Sequence, residues 1–238
     1  MNWLLSPPSK NDFLRLLGAW KFWLIFSLIG TVIGAAVYFI FPPDYRARAT
    51  VVVDFNLEES WAQIPDRELF YYLERESRKL VEVAWADETV GAISQEIDDL
   101  TIASLRQEGL SLSHPQDGAW HFYADDADAA RAEKIVLLWA ESFNQEVQEG
   151  AANALALNAL KTGLESGDLE LADVEEDIAR LEGESLGISA HLQTSLSQKK
   201  ELIITRTASL AEYIFVGLTG MLFLSIVWVL FSGKVNEQ

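Results

Sequence analysis

Three histidines, His114, His121 and His191, and a large acidic complement are the side chains of this sequence suited to acid–base or metal chemistry. No two histidines stand at the i, i+4 spacing of a zinc-binding HExxH helix, and the local sequence puts them in a turn, a strand and a coil. Asp125, Asp126 and Asp128 are hard-cation ligands by type. They lack the glycine and distal glutamate of a calcium loop, so capping the next helix is their expected role. The chain has no cysteine, which excludes disulfides, thiolate zinc sites, iron–sulfur clusters and a cysteine nucleophile. A paired-carboxylate site would have 36 acids to draw on, and no pair among them stands out. The expectation is a chain with no catalytic residue, no metal site and no cofactor.

Against those 36 acids stand 18 Lys and Arg, a formal net charge of −18, which argues against binding nucleic acid because phosphates need a basic face. The charge is concentrated. Residues 44–211 hold 33 acids and 14 bases, and Glu165 to Glu184 alone carries nine acids with Arg180 as its base. Such a stretch reads first as the solvated face of a long helix. In a ring of subunits the same carboxylates would line a rim, offset by Lys161, Arg180 or divalent cations.

Two uncharged apolar runs bracket that acidic middle. Residues 22–41 form one of 20 residues, about 30 Å as a helix and so the thickness of bilayer hydrocarbon; residues 213–231 form a second of 19. No small-residue cleavage site follows the first run, so it is expected to stay as a membrane span rather than leave as a signal peptide. Pro42 and Pro43 make the membrane exit turn. Lys10, Arg15, Lys21 and Lys234 favour cytoplasmic ends, with Arg46 and Arg48 as the counterweight; the middle is then extracytoplasmic. Residues 1–21 read as a cytoplasmic interfacial segment with Ser9 as a cap and Phe13, Leu14, Leu17 and Trp20 on one side. Residues 232–238 form a cytoplasmic tail. Gly30 and Gly34 make a GxxxG that lets two helices approach closely, and Gly217 and Gly220 on the second span are the partners expected for it.

Between the spans, residues 44–150 read as an α/β base. Arg46 to Phe55 alternates, with Ala47, Ala49, Val51, Val53 and Phe55 on one face, which is the pattern of a half-buried strand. Helices are expected after Asp66, with Leu69, Leu73, Leu80, Val81 and Ala84 at helical spacing, and after Asp87, with Val90, Ile93 and Ile97. Leu110 to Ser113 and Ala119 to Ala124 flank a HPQDG turn as a hairpin, and a helix carrying Ile135, Val136, Trp139, Phe143 and Val147 follows the three aspartates. From Leu157 a heptad frame passes through Leu160, Leu164, Gly167, Leu171, Val174, Ile178, Leu181, Ser185, Ile188, Leu192, Ser195, Lys199 and Leu202. That period implies a coiled-coil protrusion over residues 151–200. Glycines at 163 and 167, and at 183 and 187, are two places where it can turn back. Residues 201–211 hold ELIITRT, a final base strand that can rejoin the strand begun at Arg46. The fold class is α+β, with two transmembrane helices flanking the base and its helical protrusion.

This order of elements resembles the Wzz-type chain-length determinants, the polysaccharide co-polymerases of bacterial envelopes. The resemblance is carried by NDFLRLLGAWKFW entering the first span, FPPDYRARATVVVDF leaving it, the strand–turn–strand–helix of LSLSHPQDGAWHFYADDADAARAEKIVLLWAESF, and ELIITRTAS before the second span. It implies a homo-oligomeric ring in the bacterial plasma membrane that sets the length or export of a surface polysaccharide without chemistry of its own. Its implied partners are membrane lipid, a polysaccharide polymerase and a lipid-linked glycan. Family members usually carry prolines around the second span, and none lies beyond Pro115 here. Larger members continue into a kinase with a phosphate-binding loop; no GxxxxGK[ST] occurs, so a kinase would be a separate partner. The alternative is a structural scaffold subunit of another membrane complex, built on the same kind of fold.

Overall fold

The computed structural model describes Leu14 and residues 17–58, 69–113, 118–167, 169–197 and 202–235. In chain order its main elements are α1 (Trp20–Ile40), β1 (Tyr45–Asp54), α2 (Leu69–Ala84), α3 (Asp87–Glu96), β2 (Leu110–Ser113), β3 (Ala119–Asp126), α4 (Ala129–Ser166), α5 (Leu171–Glu184), β4 (Gln193–Leu196), β5 (Ile203–Arg206) and α6 (Leu210–Val235). They fall into two compact units, residues 1–44 with 206–238, and Tyr45–Thr205.

The first unit is the pair α1 and α6, two helices long and apolar enough to cross a membrane. Their side chains are mostly exposed: Phe22, Leu28, Val32, Phe215, Phe223 and Trp228 are each more than half open, so neither is the core helix of a soluble protein. The residues of α1 that are buried are Gly30 and Gly34. The helix begins at Trp20, two residues before the uncharged run, and stops at Phe41, after which Pro42 and Pro43 cannot continue it. α6 opens three residues earlier than its apolar run because Ser209 and Glu212 form a capping box. The Ser209 amide donates to Glu212 Oε2 at 2.6 Å, and the Glu212 amide to Ser209 Oγ at 3.3 Å. The expected interfacial segment lies, apart from Leu14 and residues 17–21, outside the described residues.

The second unit is a five-stranded sheet ordered β2-β3-β1-β4, with β5 also paired to β1. β1 is central and antiparallel to β3, from Tyr45 opposite Asp126 to Val52 opposite Ala119. The alternation acts as expected: Ala47, Ala49, Val51 and Val53 are buried, as are Trp120, Phe122 and Ala124 on β3. The first half of α4 lies on that face with Ile135, Val136, Trp139, Phe143 and Val147 buried. Trp139 crosses Phe122 edge to face at 4.8 Å, and its indole N–H donates to the Ala84 carbonyl at 2.7 Å, tying α2 to α4. β5 returns to β1 as its sequence implies.

Several expectations need correction. Asp128 alone caps α4, accepting from the amides of Ala130 and Arg131. Asp125 and Asp126 finish β3 instead, because Arg46 across the strand pair holds Asp125 and Arg131 holds Asp126. On α2 Leu80 and Ala84 are buried as expected, with Tyr72, Glu76 and Val83 buried beside them, while Leu73 and Val81 are half-buried, Val81 packing against the core. α4 runs unbroken through residue 150 to Ser166, so the boundary expected there falls inside a helix. The helical part of residues 151–200 ends at Glu184, and residues 193–196 are a strand. The turn HPQDG lies mostly outside the described residues, although its two strands pair as a hairpin.

Candidate functional site

Two features stand apart from the sheet and its core: the glycine contact of α1 with α6, and the helical hairpin with the cleft at its root. In the first, the backbones touch. A Cβ on Gly30 would strike the Gly217 carbonyl, one on Gly34 the Tyr213 carbonyl, and one on Gly217 the Gly30 carbonyl. Three of the four expected packing glycines therefore sit at one crossing, where only hydrogen fits. Gly220 does not join them: nothing lies within 4 Å of where its Cβ would stand. Nearer the exit turn Tyr38 meets Tyr213 edge to face at 5.5 Å, and the Arg206 guanidinium lies 5.5 Å from the Tyr38 ring centroid and donates to the Pro43 carbonyl at 3.3 Å. Pro42 and Pro43 thus end α1 beside the start of α6 within one unit.

In the second feature, α4 reverses at Gly167, whose left-handed φ of 78° suits glycine, and α5 runs back antiparallel to it. Leu169 packs on Gly163 at the tip, and Ser185 and Ile188 lie against Gly150 at the root. Both glycine-marked turning points are used: the second reversal carries φ of 55° at Leu186 and 68° at Gly187. Of the seam residues, Leu157, Val174 and Leu181 are buried, Leu160, Leu164 and Ile178 are half-buried, and Leu171 is 59% exposed. Ile188 and Leu192 are not part of a helical seam. They are buried in the main core beside the sheet, since the left-handed residues stop the helix before the heptad frame reaches them.

The acids of α5 are exposed, as expected of a solvated face. Arg180 joins Asp177 at 3.1 Å and Glu184 at 2.8 Å; hydrogen bonding to Asp177 and the charge of Glu184 raise its pKa further. Lys161 reaches Glu182 from α4 at 2.9 Å. Within the chain Lys161 and Arg180 thus pair with Asp177, Glu182 and Glu184 of the acidic stretch. On α4, burial raises the pKa of Glu146, with Glu149 and Glu88 adding repulsion.

At the root of the hairpin lies an open cleft of about 330 Å³ lined by Tyr72, Arg75, Leu157, Asn158, Ser189 and His191 among others. Behind it Glu76 is fully buried on α2, accepting from Arg75 at 2.9 Å and from the Ser189 amide at 2.9 Å. The carboxylate therefore anchors the segment that leads from the hairpin back to the sheet. Glu76 is a buried functional residue that the apolar pattern of the sequence does not single out. Its signal was a charge at i+4 from Tyr72 and i−4 from Leu80, inside the buried row of the helix.

The histidines are not gathered. His191 lines the cleft, His121 lies on the outer face of the sheet with Nδ1 at 3.0 Å from Thr50 Oγ1, and His114 is outside the described residues. Among the described residues no group of three or more His, Asp or Glu is arranged to hold a metal ion. The cleft offers hydrogen bonds and an exposed guanidinium, which suits binding or packing. No family model matches the sequence, and no curated protein matches it.

Proposed function

We propose that this protein is a non-catalytic, oligomeric membrane protein that controls the length or export of a cell-surface polysaccharide. In this reading α1 and α6 span the bacterial plasma membrane, both termini are cytoplasmic, and the unit Tyr45–Thr205 is extracytoplasmic. The observation that carries it is the order of elements. One apolar helix leads straight into the central strand β1, the last strand β5 pairs with that same strand and leads straight into the second apolar helix, and a helical hairpin is inserted before the return. That order is the one the resemblance to chain-length determinants rests on. In such a protein, protomers standing side by side around a central space confine a growing lipid-linked glycan or organise its polymerase, and the α4–α5 hairpin projects from the base.

A scaffold role in another complex is favoured by one observation, the exposure of Leu155 at 60% and Leu171 at 59% on the hairpin, which suits a protein partner. Purification from the host in mild detergent separates the two. A polysaccharide polymerase or a lipid-linked glycan in the purified material supports the first reading; a stoichiometric complex unconnected with glycans overturns it in favour of the second. The absence of native cysteine allows a clean topology test alongside. A single cysteine at Ser111 should react with an impermeant thiol reagent on intact spheroplasts, and one at Gln238 should not.

A further inference from the structure

The sheet has a second face. Residues opposite each other in register share a side of the sheet, so Arg46, Arg48 and Thr50 of β1 stand beside Asp125, Tyr123 and His121 of β3, and Ser111 and Ser113 of β2 continue the row. Every one of these is exposed or half-buried, whereas the residues facing α4 are buried. The face is polar and aromatic, and across its three strands it is about 10 Å wide.

Its charges are not alike. Arg46 is neutralised by Asp125 through two hydrogen bonds of 2.7 and 2.6 Å and lies 5.8 Å from the Tyr123 ring centroid. Arg48, directly opposite Tyr123, has no carboxylate partner among the described residues, and its Nε is closed to solvent without a hydrogen-bond acceptor there. In the unit Tyr45–Thr205, every other described Lys or Arg has a carboxylate within 4 Å. A chain with twice as many acids as bases thus leaves one guanidinium on this face without a carboxylate partner among the described residues. Nε is the one Arg48 nitrogen shut off from solvent, so an anion arriving at the face would pair with the Nη groups, where a charge-assisted hydrogen bond is strongest.

We propose that this face binds an acidic saccharide, with Arg48 pairing to the sugar carboxylate and the Tyr123 ring stacking on the sugar. The inference rests on the glycan reading above and names the class of glycan. The guanidinium fork matches a carboxylate in two parallel hydrogen bonds. Ser111 and Ser113 hydroxyls donate to and accept from sugar hydroxyls. The bond from His121 to Thr50 fixes the imidazole beside Tyr123, whose ring centroid is 6.3 Å away. An aromatic ring and a row of hydroxyls around a single cation favour a sugar over a bare phosphate or a lipid headgroup, for which the cation alone would suffice.

The test is binding of tetragalacturonate to the full-length protein in nanodiscs of neutral lipid, beside the uncharged galactose oligomer of equal length and inorganic phosphate. Saturable binding of the acidic probe is expected, at least tenfold tighter than the neutral one. Arg48→Gln and Tyr123→Leu should each weaken it about tenfold, and Arg48→Lys should recover part of the loss, with circular dichroism verifying that each variant is folded. No saturable binding, equal binding of the neutral probe, or binding unchanged in both Arg48→Gln and Tyr123→Leu overturns the proposal. So does phosphate that displaces the probe fully while Tyr123→Leu binds normally, since that describes a bare anion site. The outcomes separate from those of the functional reading. Arg48-dependent binding in a protein whose deletion leaves the host polysaccharide unchanged would keep the site and remove the chain-length role. A deletion that changes the polysaccharide, with binding indifferent to Arg48 and Tyr123, would do the reverse.

Discussion

Glu76 shows what single residues do in this fold. A carboxylate with no exposure is tolerated on α2 because Arg75 and the Ser189 amide both donate to it, and through Ser189 it holds the segment that returns from the hairpin. Removing it in Glu76→Ala should destabilise the Tyr45–Thr205 unit by about 2 kcal/mol, the scale of hydrogen bonds to a buried charge. An unchanged denaturation midpoint would show that the anchor contributes nothing. Glu146 behaves in the opposite sense. Burial, then the charges of Glu149 and Glu88, raise its pKa, so the folded protein holds this proton more tightly than the unfolded chain. Its contribution to stability is complete below the ordinary carboxylate pKa and is lost as the pH rises through the raised value. Glu146→Gln should therefore raise the melting temperature at neutral pH, with the difference closing near pH 4. A difference of the same size at both pH values would contradict this. Neither role was legible in the sequence, since a burial that depends on residues more than 100 positions apart, as between Glu76 and Ser189, leaves no local pattern.

At the scale of elements, strands were read correctly where alternation has a single interpretation. Ala47, Ala49, Val51 and Val53 cannot be helix-periodic, and β1 formed as expected. The stretch 185–196 was not, because Ile188 and Leu192 satisfy a heptad spacing and also suit two core positions separated by a turn. The left-handed backbone at Leu186 and Gly187 decides between them, and Leu at positive φ is not announced by its type. The glycine crossing was legible on α1, where GxxxG places both glycines on one face, and only half legible on α6. It yields a sharp contrast. Gly34→Leu should separate α1 from α6, because its side chain would have to occupy the space of the Tyr213 backbone, whereas Gly220→Leu should have no effect. Paired cysteines replacing Tyr38 and Tyr213 and a short thiol cross-linker report this: linkage should be lost in the first variant and kept in the second. Loss in both, or in neither, would contradict the packing described.

The whole molecule joins two apolar helices, a sheet whose first and last strands in chain order adjoin them in sequence, and a helical hairpin inserted before the return. The broad class was legible because apolar runs of membrane length, alternating strands and heptads have different periods and lie in separate parts of the chain. Where the hairpin ends was legible only as a glycine-marked turn at 183–187, because the heptad spacing continues past it to Ile188 and Leu192. The order of elements makes chain-length control the central claim, and the most direct measurement is the size distribution of the host's surface polysaccharide on gels, with the protein present, absent and restored. The account predicts a modal length that shifts or disappears without the protein and returns on restoration. A distribution that stays the same in all three would contradict it.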